Sequence, residues 1–289
     1  MAVANRIEAR FFRPPTDLEG CFTTFYRLTV ELEESECLVD CLQPEWGNLR
    51  IFSYNPPNCR ISDNSSITGT HFVATGPSSQ PGHFELGSTR MWGVGLFPLG
   101  WARFIGAPAS EVANQVVDGH QHGHFSHFSE FTQTLFEDEP NDAKEFDKII
   151  AVFRQHDRDV PQAGMITKTH AALVDPDINS VSEMAEQVGV SNRTLERLCR
   201  RHFGFAPKLL LRRQRFMRSL GAFMMGDEKS WSQVIDKLYH DQAQFVREFK
   251  SFMNMSPTEY AAMDHPVLKS FMRERQRQWG SPAQTLDLP

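Results

Sequence analysis

Two stretches of the C-terminal half decide the fold: SVSEMAEQVGVSNRTLERLCRRHFG at residues 180–204 and SWSQVIDKLYHDQAQFVREFKSFMNMSP at residues 230–257. In each stretch, apolar residues recur at helical spacing on both sides of a short polar turn, which predicts two short amphipathic helices. The second helix of each pair carries polar and basic side chains on its outer face. A helix, a tight turn and an exposed second helix are the arrangement with which many proteins read the major groove of DNA.

Capping residues mark the boundaries of these helices. Ser180 and Glu183 form a capping-box pattern, which predicts the start of the first helix. Gly189 supplies the positive φ expected at its end. Ser191 is the predicted cap of the next helix, over residues 192–203.

A long helix is predicted between the two stretches, from Pro207, where a first-turn proline is tolerated, to about Met225. About 19 residues span roughly 28 Å, which approaches the roughly 34 Å of one turn of B-DNA. The pattern therefore predicts two reading helices in successive major grooves. The other helices predicted in this half are 166–174, Trp231–Leu238 capped by Ser230, Gln242–Phe252 and a short helix from Pro257.

The outward face of each second helix supplies the predicted DNA contacts. Arginine can bind guanine O6 and N7 together or grip a phosphate, and glutamine can pair with adenine. A solvated helix face would carry the same charges, and a glutamine at a capping position can be tied to backbone N–H groups instead. The predicted DNA-binding residues are Ser191, Asn192, Arg193, Thr194, Arg197 and Arg200 in the first unit, and Gln242, Gln244, Arg247 and Lys250 in the second.

Charge is distributed unevenly along the chain, whose net charge is −6. Residues 1–165 carry 12 basic and 22 acidic side chains, whereas residues 166–289 carry 18 basic and 14 acidic ones. An acidic half joined to a basic half predicts that only the second half meets a polyanion. Phosphate or interdomain contacts are the expected roles of four arginines on the long helix, Arg212, Arg213, Arg215 and Arg218.

The N-terminal half carries strand signals. Short segments rich in aromatic and β-branched residues are separated by turns of Pro, Gly, Asn and Ser, which predicts a β-rich, barrel-like domain. After Pro98, helical spacing predicts one or two short helices in LGWARFIG and SEVANQVVDG, the second capped by Ser110 and running through Val117, and two more over 125–136 and 142–154. Their apolar faces suit either packing on the sheet or a homodimer. The predicted strands lie in 21–32, 49–54, 69–75 and 91–97.

The predicted fold class is therefore α+β. A β-rich domain with trailing helices occupies residues 1–154, a polar linker 155–164, an all-α domain 165–263, and a tail 264–289. The sequence has no apolar run long enough for a membrane span and no apolar core behind its first basic residue, so we expect neither a membrane span nor a signal peptide. Five cysteines without secretory signals predict reduced thiols in a cytoplasmic protein.

Four histidines, His120, His122, His124 and His127 in HQHGHFSH, are close enough in sequence to hold zinc or nickel. Because no carboxylate or thiolate set accompanies them at metal-site spacing, a polar turn is the favoured interpretation, and no cofactor is predicted. The alternative function is a metal-dependent β-barrel enzyme or binding protein with a helical docking module. No nucleophile–base motif, phosphate loop or dinucleotide fingerprint indicates catalysis, so we predict that the protein is not an enzyme.

Residues 166–262 resemble the DNA-binding domain of AraC/XylS-type bacterial transcription regulators. The resemblance rests on VSEMAEQVGVSNRTLERLCRRHFGFAP, LLRRQRF and YHDQAQFVREFKSFMNMSPTEY. It implies a seven-helix domain with two helix-turn-helix units that binds double-stranded promoter DNA and regulates transcription. RNA polymerase is a further partner that it suggests.

The N-terminal half resembles, less closely, the β-rich sensor or dimerisation domains that precede such modules. The implied effector is a small molecule of unknown identity bound to this domain. Aromatic residues that could line its pocket, or simply form a core, are Trp46, Phe52, Tyr54, Trp92 and Trp101.

Three positions depart from the family pattern. Asn254 replaces a glycine, and asparagine tolerates the left-handed conformation that the turn needs. Ala243–Gln244 replaces a frequent Ser-His pair, which changes the predicted contacts of the second unit. Ala206 replaces a capping Ser or Thr, at a cost of about 1 kcal/mol.

Overall fold

The structure is a computed structural model that describes residues 6–33, 36–226, 231 and 234–289. Within these residues the N-terminal half forms two antiparallel sheets, one with the order β1-β2-β9-β4-β7-β10 and one with the order β3-β8-β5-β6. The strands are β1 (Arg6–Phe12), β2 (Phe22–Glu31), β3 (Leu38–Leu42), β4 (Gly47–Phe52), β5 (Asn58–Ser62), β6 (Ser65–Thr68), β7 (Phe72–Thr75), β8 (Gly82–Leu86), β9 (Thr89–Leu96) and β10 (Val116–Asp118). The predicted β-rich domain is confirmed.

Helices cover one face of the six-stranded sheet and make up most of the described residues of the C-terminal half. The first, α1 (Pro98–Gly100), continues into a π turn over Trp101–Ile105. The others are α2 (Ser129–Thr134), α3 (Asp142–Gln155), α4 (Ala163–Val174), α5 (Val181–Val188), α6 (Asn192–Phe203), α7 (Pro207–Met225), α8 (Gln242–Met253), α9 (Pro257–Ala261) and α10 (Pro266–Trp279). The α+β fold class is confirmed.

Alternation along the central strands builds the layers, because successive side chains point to opposite faces of a sheet. In β9, Trp92 and Val94 join the core beneath the helices, whereas Met91 joins the core between the two sheets. In β2, Phe25 lies in the core beneath the helices and Tyr26 lies in the core between the two sheets. The six-stranded sheet is therefore covered by helices on one face and by the four-stranded sheet on the other.

The predicted helix from Ser110 through Val117 is wrong. Residues Ala109–Glu111 form one 3-10 turn, Asn114 adopts a left-handed φ of 57°, and the chain then enters β10. Val116 pairs with Thr75 at the edge of the larger sheet. The β-branched side chains of this segment suit an edge strand. The segment forms a strand because it can pair with β7, whose other edge is already bonded to β4.

Helix α3 packs on the six-stranded sheet of its own chain. Ile149, Ile150 and Phe153 lie in the core beneath that sheet. Glu145, which is fully buried, accepts hydrogen bonds from Arg90 Nη2 and Trp92 Nε1, both at 2.6 Å. The apolar face that suggested a homodimer is thus used within the chain.

The caps predicted in the C-terminal half are present wherever the structure describes them. Ser180 and Glu183 form a reciprocal capping box, and Ser191 accepts a hydrogen bond from Thr194 N at 3.2 Å. Gly189 and Asn254 both adopt left-handed conformations at helix ends, with φ of 82° and 57°. Asparagine therefore preserves the turn in the second unit.

The second unit begins differently from the prediction. The described residues 234–238 form turns and a bend instead of the rest of a Trp231–Leu238 helix, while Ser230 and residues 232–233 lie outside the described residues. Trp231 stacks on Phe223 of α7, with ring centroids 3.7 Å apart. Aromatic packing on the long helix therefore positions this segment.

The two halves share hydrophobic cores. Trp46 and Phe97 from the N-terminal half pack with Leu173, Leu195 and Phe203 from the helical half. The final helix α10 also packs on the barrel, since Val267 lies in the core between the sheets. The linker region separates α3 from α4 without separating the cores. No helix among the described residues is long and apolar enough to cross a membrane.

Candidate nucleic-acid interface and effector cavity

Helices α6 and α8 expose equivalent faces. Ten positions can be compared from each cap onward, residues 191–200 and 241–250. Both segments show the same order of exposed, half-buried and buried residues. Exposed positions correspond in pairs, so Arg197 matches Arg247 and Arg200 matches Lys250. The chain thus presents two helix faces with the same pattern of exposure, one from each unit.

In the first unit the predicted residues share one outer face. Arg193 and Arg197 are exposed and form no hydrogen bond or ion pair with the described residues. Arg200 pairs with Glu196 at 2.8 Å, which is the (i, i+4) geometry of a helix surface. Ser191 caps the helix, and Asn192 is exposed beside it. Arg193 and Arg197 are therefore the side chains most available to DNA.

In the second unit one of the predicted DNA-binding residues, Gln244, is hydrogen-bonded to the backbone at the start of its own helix. Gln244 Oε1 accepts a hydrogen bond from His240 N at 3.0 Å, and Gln244 N donates to Asp241 Oδ1 at 2.6 Å. The side chains of Gln242, Arg247 and Lys250 are exposed and form no hydrogen bond with the described residues. Ala243 occupies the position that Arg193 occupies in the first unit. The exposed face of α8 therefore has one long basic side chain fewer than that of α6 and carries less positive charge.

A basic groove lies between the two units. It is walled by α7, by the first turn of α5 and by α8. Its cationic side chains are Lys208, Arg212, Arg215, Arg218 and Arg247.

The acid in this groove, Glu248, was not expected from the sequence to be structural. It accepts hydrogen bonds from Arg212 Nε at 3.0 Å, Arg215 Nη2 at 2.6 Å and Tyr239 Oη at 3.0 Å. Burial, with the nearby Glu248 carboxylate, raises the pKa of Tyr239, so the tyrosine stays a donor. Arg218 pairs in the same way with Asp236 at 2.5 Å. Of the arginines predicted to make phosphate or interdomain contacts, Arg212 and Arg215 thus hold α8 on α7, and Arg218 holds the segment before α8.

Arg213 faces away from the groove and joins the two halves. Its guanidinium lies 4.1 Å from the ring centroid of Trp46, and Nη1 donates to the Ser78 carbonyl at 2.9 Å. Burial lowers the pKa of Arg213 to about 9. Nearby, burial and the Arg213 charge lower the pKa of His170 to about 3. An interdomain contact, one of the two predicted roles, is what this arginine makes.

The barrel stands beside the first reading helix. Pro108 and Ser110 form one wall of a groove whose other wall includes Thr194, Arg197 and Arg201. Gly204, at the end of α6, lies so close that a Cβ there would be 3.1 Å from Pro77 Cγ. One side of α6 is therefore bordered by the N-terminal half.

The four clustered histidines contact different neighbours, and only His122 and His124 among them pack ring against ring, with centroids 5.0 Å apart. His120 packs edge-on against Phe72, and His127 lies 4.8 Å from the His156 ring. His124 Nε2 is 3.0 Å from Glu111 Oε2 on the surface. Among the described residues, no group of three or more His, Cys, Asp or Glu side chains could hold a metal ion.

A cavity of about 120 Å³ lies between the two sheets. Most of its wall is apolar, from Leu28, Phe52, Val73, Phe84 and Met91 on the strands. Helix α10 closes one side. Of the aromatic residues predicted for a pocket, Phe52 lines the cavity, whereas Trp46, Trp92 and Trp101 are core residues and Tyr54 is exposed.

One end of the cavity is polar but internally neutralised. Arg50 pairs with Glu45 at 2.6 Å and donates to Tyr26 Oη at 3.0 Å. Tyr26 can lie across the sheet because Gly93 has no side chain, and a Cβ there would be 2.0 Å from Tyr26 Cζ. Burial raises the pKa of Tyr26, so its hydroxyl remains protonated.

Residues 184–263 match the family model of a helix-turn-helix domain of the AraC type. The C-terminal domain is an AraC-type helix-turn-helix domain. This confirms the resemblance over both reading units, and the chain is a DNA-binding transcription regulator. No curated protein sequence matches the chain.

Solved structures with a similar arrangement include regulators of low sequence identity. A ligand-free variant of ToxT from Vibrio cholerae is 15% identical, with 83% of this chain and 97% of that chain covered and a TM-score of 0.43. ToxT bound to an unsaturated fatty acid is 14% identical, with coverages of 81% and 97% and a TM-score of 0.42. The AraC-like activator CuxR is 10% identical, with coverages of 75% and 87% and a TM-score of 0.26.

Proposed function

We propose that the chain regulates transcription by placing α6 and α8 in successive major grooves of promoter DNA. The observation that carries this proposal is the repeated surface: two capped helices with the same exposed positions, joined by one rigid 19-residue helix. The proposed base and phosphate contacts are Ser191, Asn192, Arg193, Thr194, Arg197 and Arg200 on the first unit, and Gln242, Gln244, Arg247 and Lys250 on the second.

The groove between the units suits the DNA backbone that passes between two major grooves. Lys208 is exposed at the rim of the groove. The acidic residue of the groove, Glu248, is already neutralised by two arginines. The start of α5 borders the same groove, and its capping box leaves the phosphate contacts to the basic side chains of α7 and α8. We therefore assign this groove to phosphate positioning and the helix faces to sequence reading.

Replacing Arg193 and Arg197 together by alanine tests the reading surface. Each such arginine contributes about 1–3 kcal/mol when it pairs with a base, so we expect at least a tenfold rise in Kd for the cognate duplex. The salt dependence should also weaken, by about one unit of slope for each phosphate that the variant no longer neutralises. Fluorescence anisotropy over a range of salt concentrations measures both quantities.

Arg6→Ala and Arg154→Ala together form the matched control, since both arginines are exposed on the N-terminal half. That double variant should bind the duplex as the wild type does. Normal binding by the Arg193/Arg197 double variant would contradict the assignment of α6.

We propose further that the cavity between the sheets holds a small effector. Its apolar wall and its neutralised polar end favour an uncharged, largely apolar molecule with one hydrogen-bonding group, because a lone charge would be buried without a partner. Benzyl alcohol and indole are suitable probes. Either should raise the melting temperature, whereas benzoate at the same concentration should not.

Val73→Phe is the control for this site, since Val73 is buried in the cavity wall and the larger ring occupies the space. In this variant the probes should no longer raise the melting temperature. An equal response of variant and wild type would place binding elsewhere. Four further statements remain predictions: that the protein is not an enzyme, that it forms a homodimer, that it contacts RNA polymerase and that it is cytoplasmic.

A further inference from the structure

The last segment of the chain, residues 264–289, is anchored in the barrel; we call it the brace. The Asp40 carboxylate accepts hydrogen bonds from Val267 N and Leu268 N, both at 2.9 Å, and lies 3.2 Å from His265 Nδ1. Asp40 is 1% exposed. A buried carboxylate here satisfies the free N–H groups of α10 and faces the positive end of its dipole. This contact therefore fixes the start of α10 at one place on β3.

The coil after α10 is also bonded to the barrel. Gln284 Nε2 donates to Glu45 Oε2 at 2.9 Å, and Gln284 Oε1 accepts from Thr23 Oγ1 at 3.0 Å. Arg275 pairs with Asp287 inside the brace and is itself 5% exposed. The brace is therefore held by a contact within itself as well as by contacts with the strands.

The same coil is bonded to the connecting helix of the DNA-binding domain. Gln214 Nε2 on α7 donates to the Thr285 carbonyl at 2.5 Å, and both residues are buried. Pro282 packs on Gly221 of α7, where a Cβ would be 2.9 Å from Pro282 Cγ. The brace therefore links β3 of the barrel directly to the helix that carries both reading units.

The brace also forms one wall of the cavity, through Val267, Leu268, Phe271 and Met272. Small-molecule sites usually enclose about 300–1,000 Å³, which exceeds the cavity of about 120 Å³. A ligand of that size needs one wall to move. The strands that form most of the lining are held by sheet hydrogen bonds, whereas α10 is held by the hydrogen bonds of Asp40 at its start and otherwise by side-chain packing, such as that of Phe271 on Tyr26.

The arrangement that the brace holds restricts DNA at α6. A helix in the major groove needs space on both sides for the two DNA backbones, and the groove is about 12 Å wide. Pro108 and Ser110 stand on one side of α6, and the half-exposed Glu111 carboxylate adds negative charge there. Holding the barrel in this position therefore opposes full entry of α6.

We propose that the brace is an autoinhibitory connection: it holds the barrel beside α6, and a ligand that displaces α10 from the cavity releases the inhibition. This inference rests on the proposed DNA-binding and effector sites. Release of the brace then increases affinity for DNA, and by linkage DNA increases affinity for a ligand that displaces α10.

Asp40→Ala in the full chain tests the brace, with Asp138→Ala in the exposed loop before α3 as the matched control. The probe duplex is the fragment that the wild-type chain enriches from genomic DNA. We expect amide exchange at Val267 and Leu268 to become at least tenfold faster, the Kd for the duplex to fall at least threefold, and Nile red to bind more tightly. The control variant should match the wild type in all three measurements.

Gln214→Met keeps the anchor on β3 and removes only the hydrogen bond to Thr285, so it tests the connection if the first variant does not fold. It should also lower the Kd for the duplex at least threefold. Faster exchange with an unchanged or higher Kd would overturn the proposal, and so would unchanged exchange and Kd in both variants. A wild-type chain that enriches no duplex would instead contradict the proposed DNA-binding function.

Discussion

At the residue scale, the two reading faces differ mainly at one pair of positions. Arg193 and Ala243 follow their caps by the same number of residues and are equally exposed, but only the arginine can span the distance to a base or phosphate. Gln244 is turned partly toward the backbone of its own helix start. We therefore expect the first unit to supply more of the sequence specificity than the second.

His170 makes the stability of the fold depend on pH. The unfolded chain takes up a proton near the ordinary pKa of about 6.5, whereas burial and Arg213 lower the folded-state pKa to about 3. Stability present above pH 6.5 is therefore lost as the pH falls toward 3, and this histidine alone accounts for about 2 kcal/mol at pH 5. His170→Phe should reduce the loss measured by urea unfolding between pH 7 and pH 5.

The exposed His240 provides the comparison, because His240→Phe leaves the buried site unchanged. That variant should lose as much stability on acidification as the wild type. If His170→Phe did the same, another group would be responsible; the next candidate is His202, whose pKa burial lowers to about 4.

At the element scale, α8 depends on a carboxylate that α6 does not need. Leu198 of α6 and Glu248 of α8 occupy equivalent buried positions, and Glu248 is compensated by two arginines of α7 and a tyrosine. Periodicity marks that position as buried but cannot identify its partners. The ion pairs arise from how α8 crosses α7.

Glu248→Gln should destabilise this element, because the change leaves the half-buried Arg215 and the more exposed Arg212 without a counter-charge. Leaving buried polar partners unsatisfied costs about 1–3 kcal/mol, and urea unfolding should record a loss of that size. Glu196→Gln is the matched control, since it removes only the exposed pair with Arg200 on α6. An exposed pair of this spacing contributes about 0.3–0.5 kcal/mol. Equal losses in the two variants would show that Glu248 is as well solvated as Glu196.

At the scale of the whole molecule, the shared cores make the predicted domains interdependent. Trp46 packs against α7 through Arg213 and against Phe203 of α6, so the barrel contributes to the core of the reading domain. Exposing this core in one half would leave apolar surface of the other half in water. The two halves should therefore unfold together.

Calorimetry should accordingly record a single unfolding transition for the wild type. Trp46→Ala removes the largest side chain at the junction, and core truncations of this kind cost about 3–5 kcal/mol. In this variant we expect two resolved transitions. Two transitions in the wild type would mean that the halves fold independently despite their contacts.

Local patterns were sufficient for most helices of the C-terminal half and insufficient for its connections. Capping boxes, the glycine at 189 and the proline at 207 act within a few residues, so α5, α6 and α7 could be placed from sequence. Four strands, β2, β4, β7 and β9, followed from aromatic and β-branched segments between turns. The strand at 116–118, the buried Glu248 and the anchor at Asp40 depend on partners that lie far away along the chain. Only tertiary packing brings those partners together, because burial changes a polar side chain from a solvated group into one that must find a specific partner.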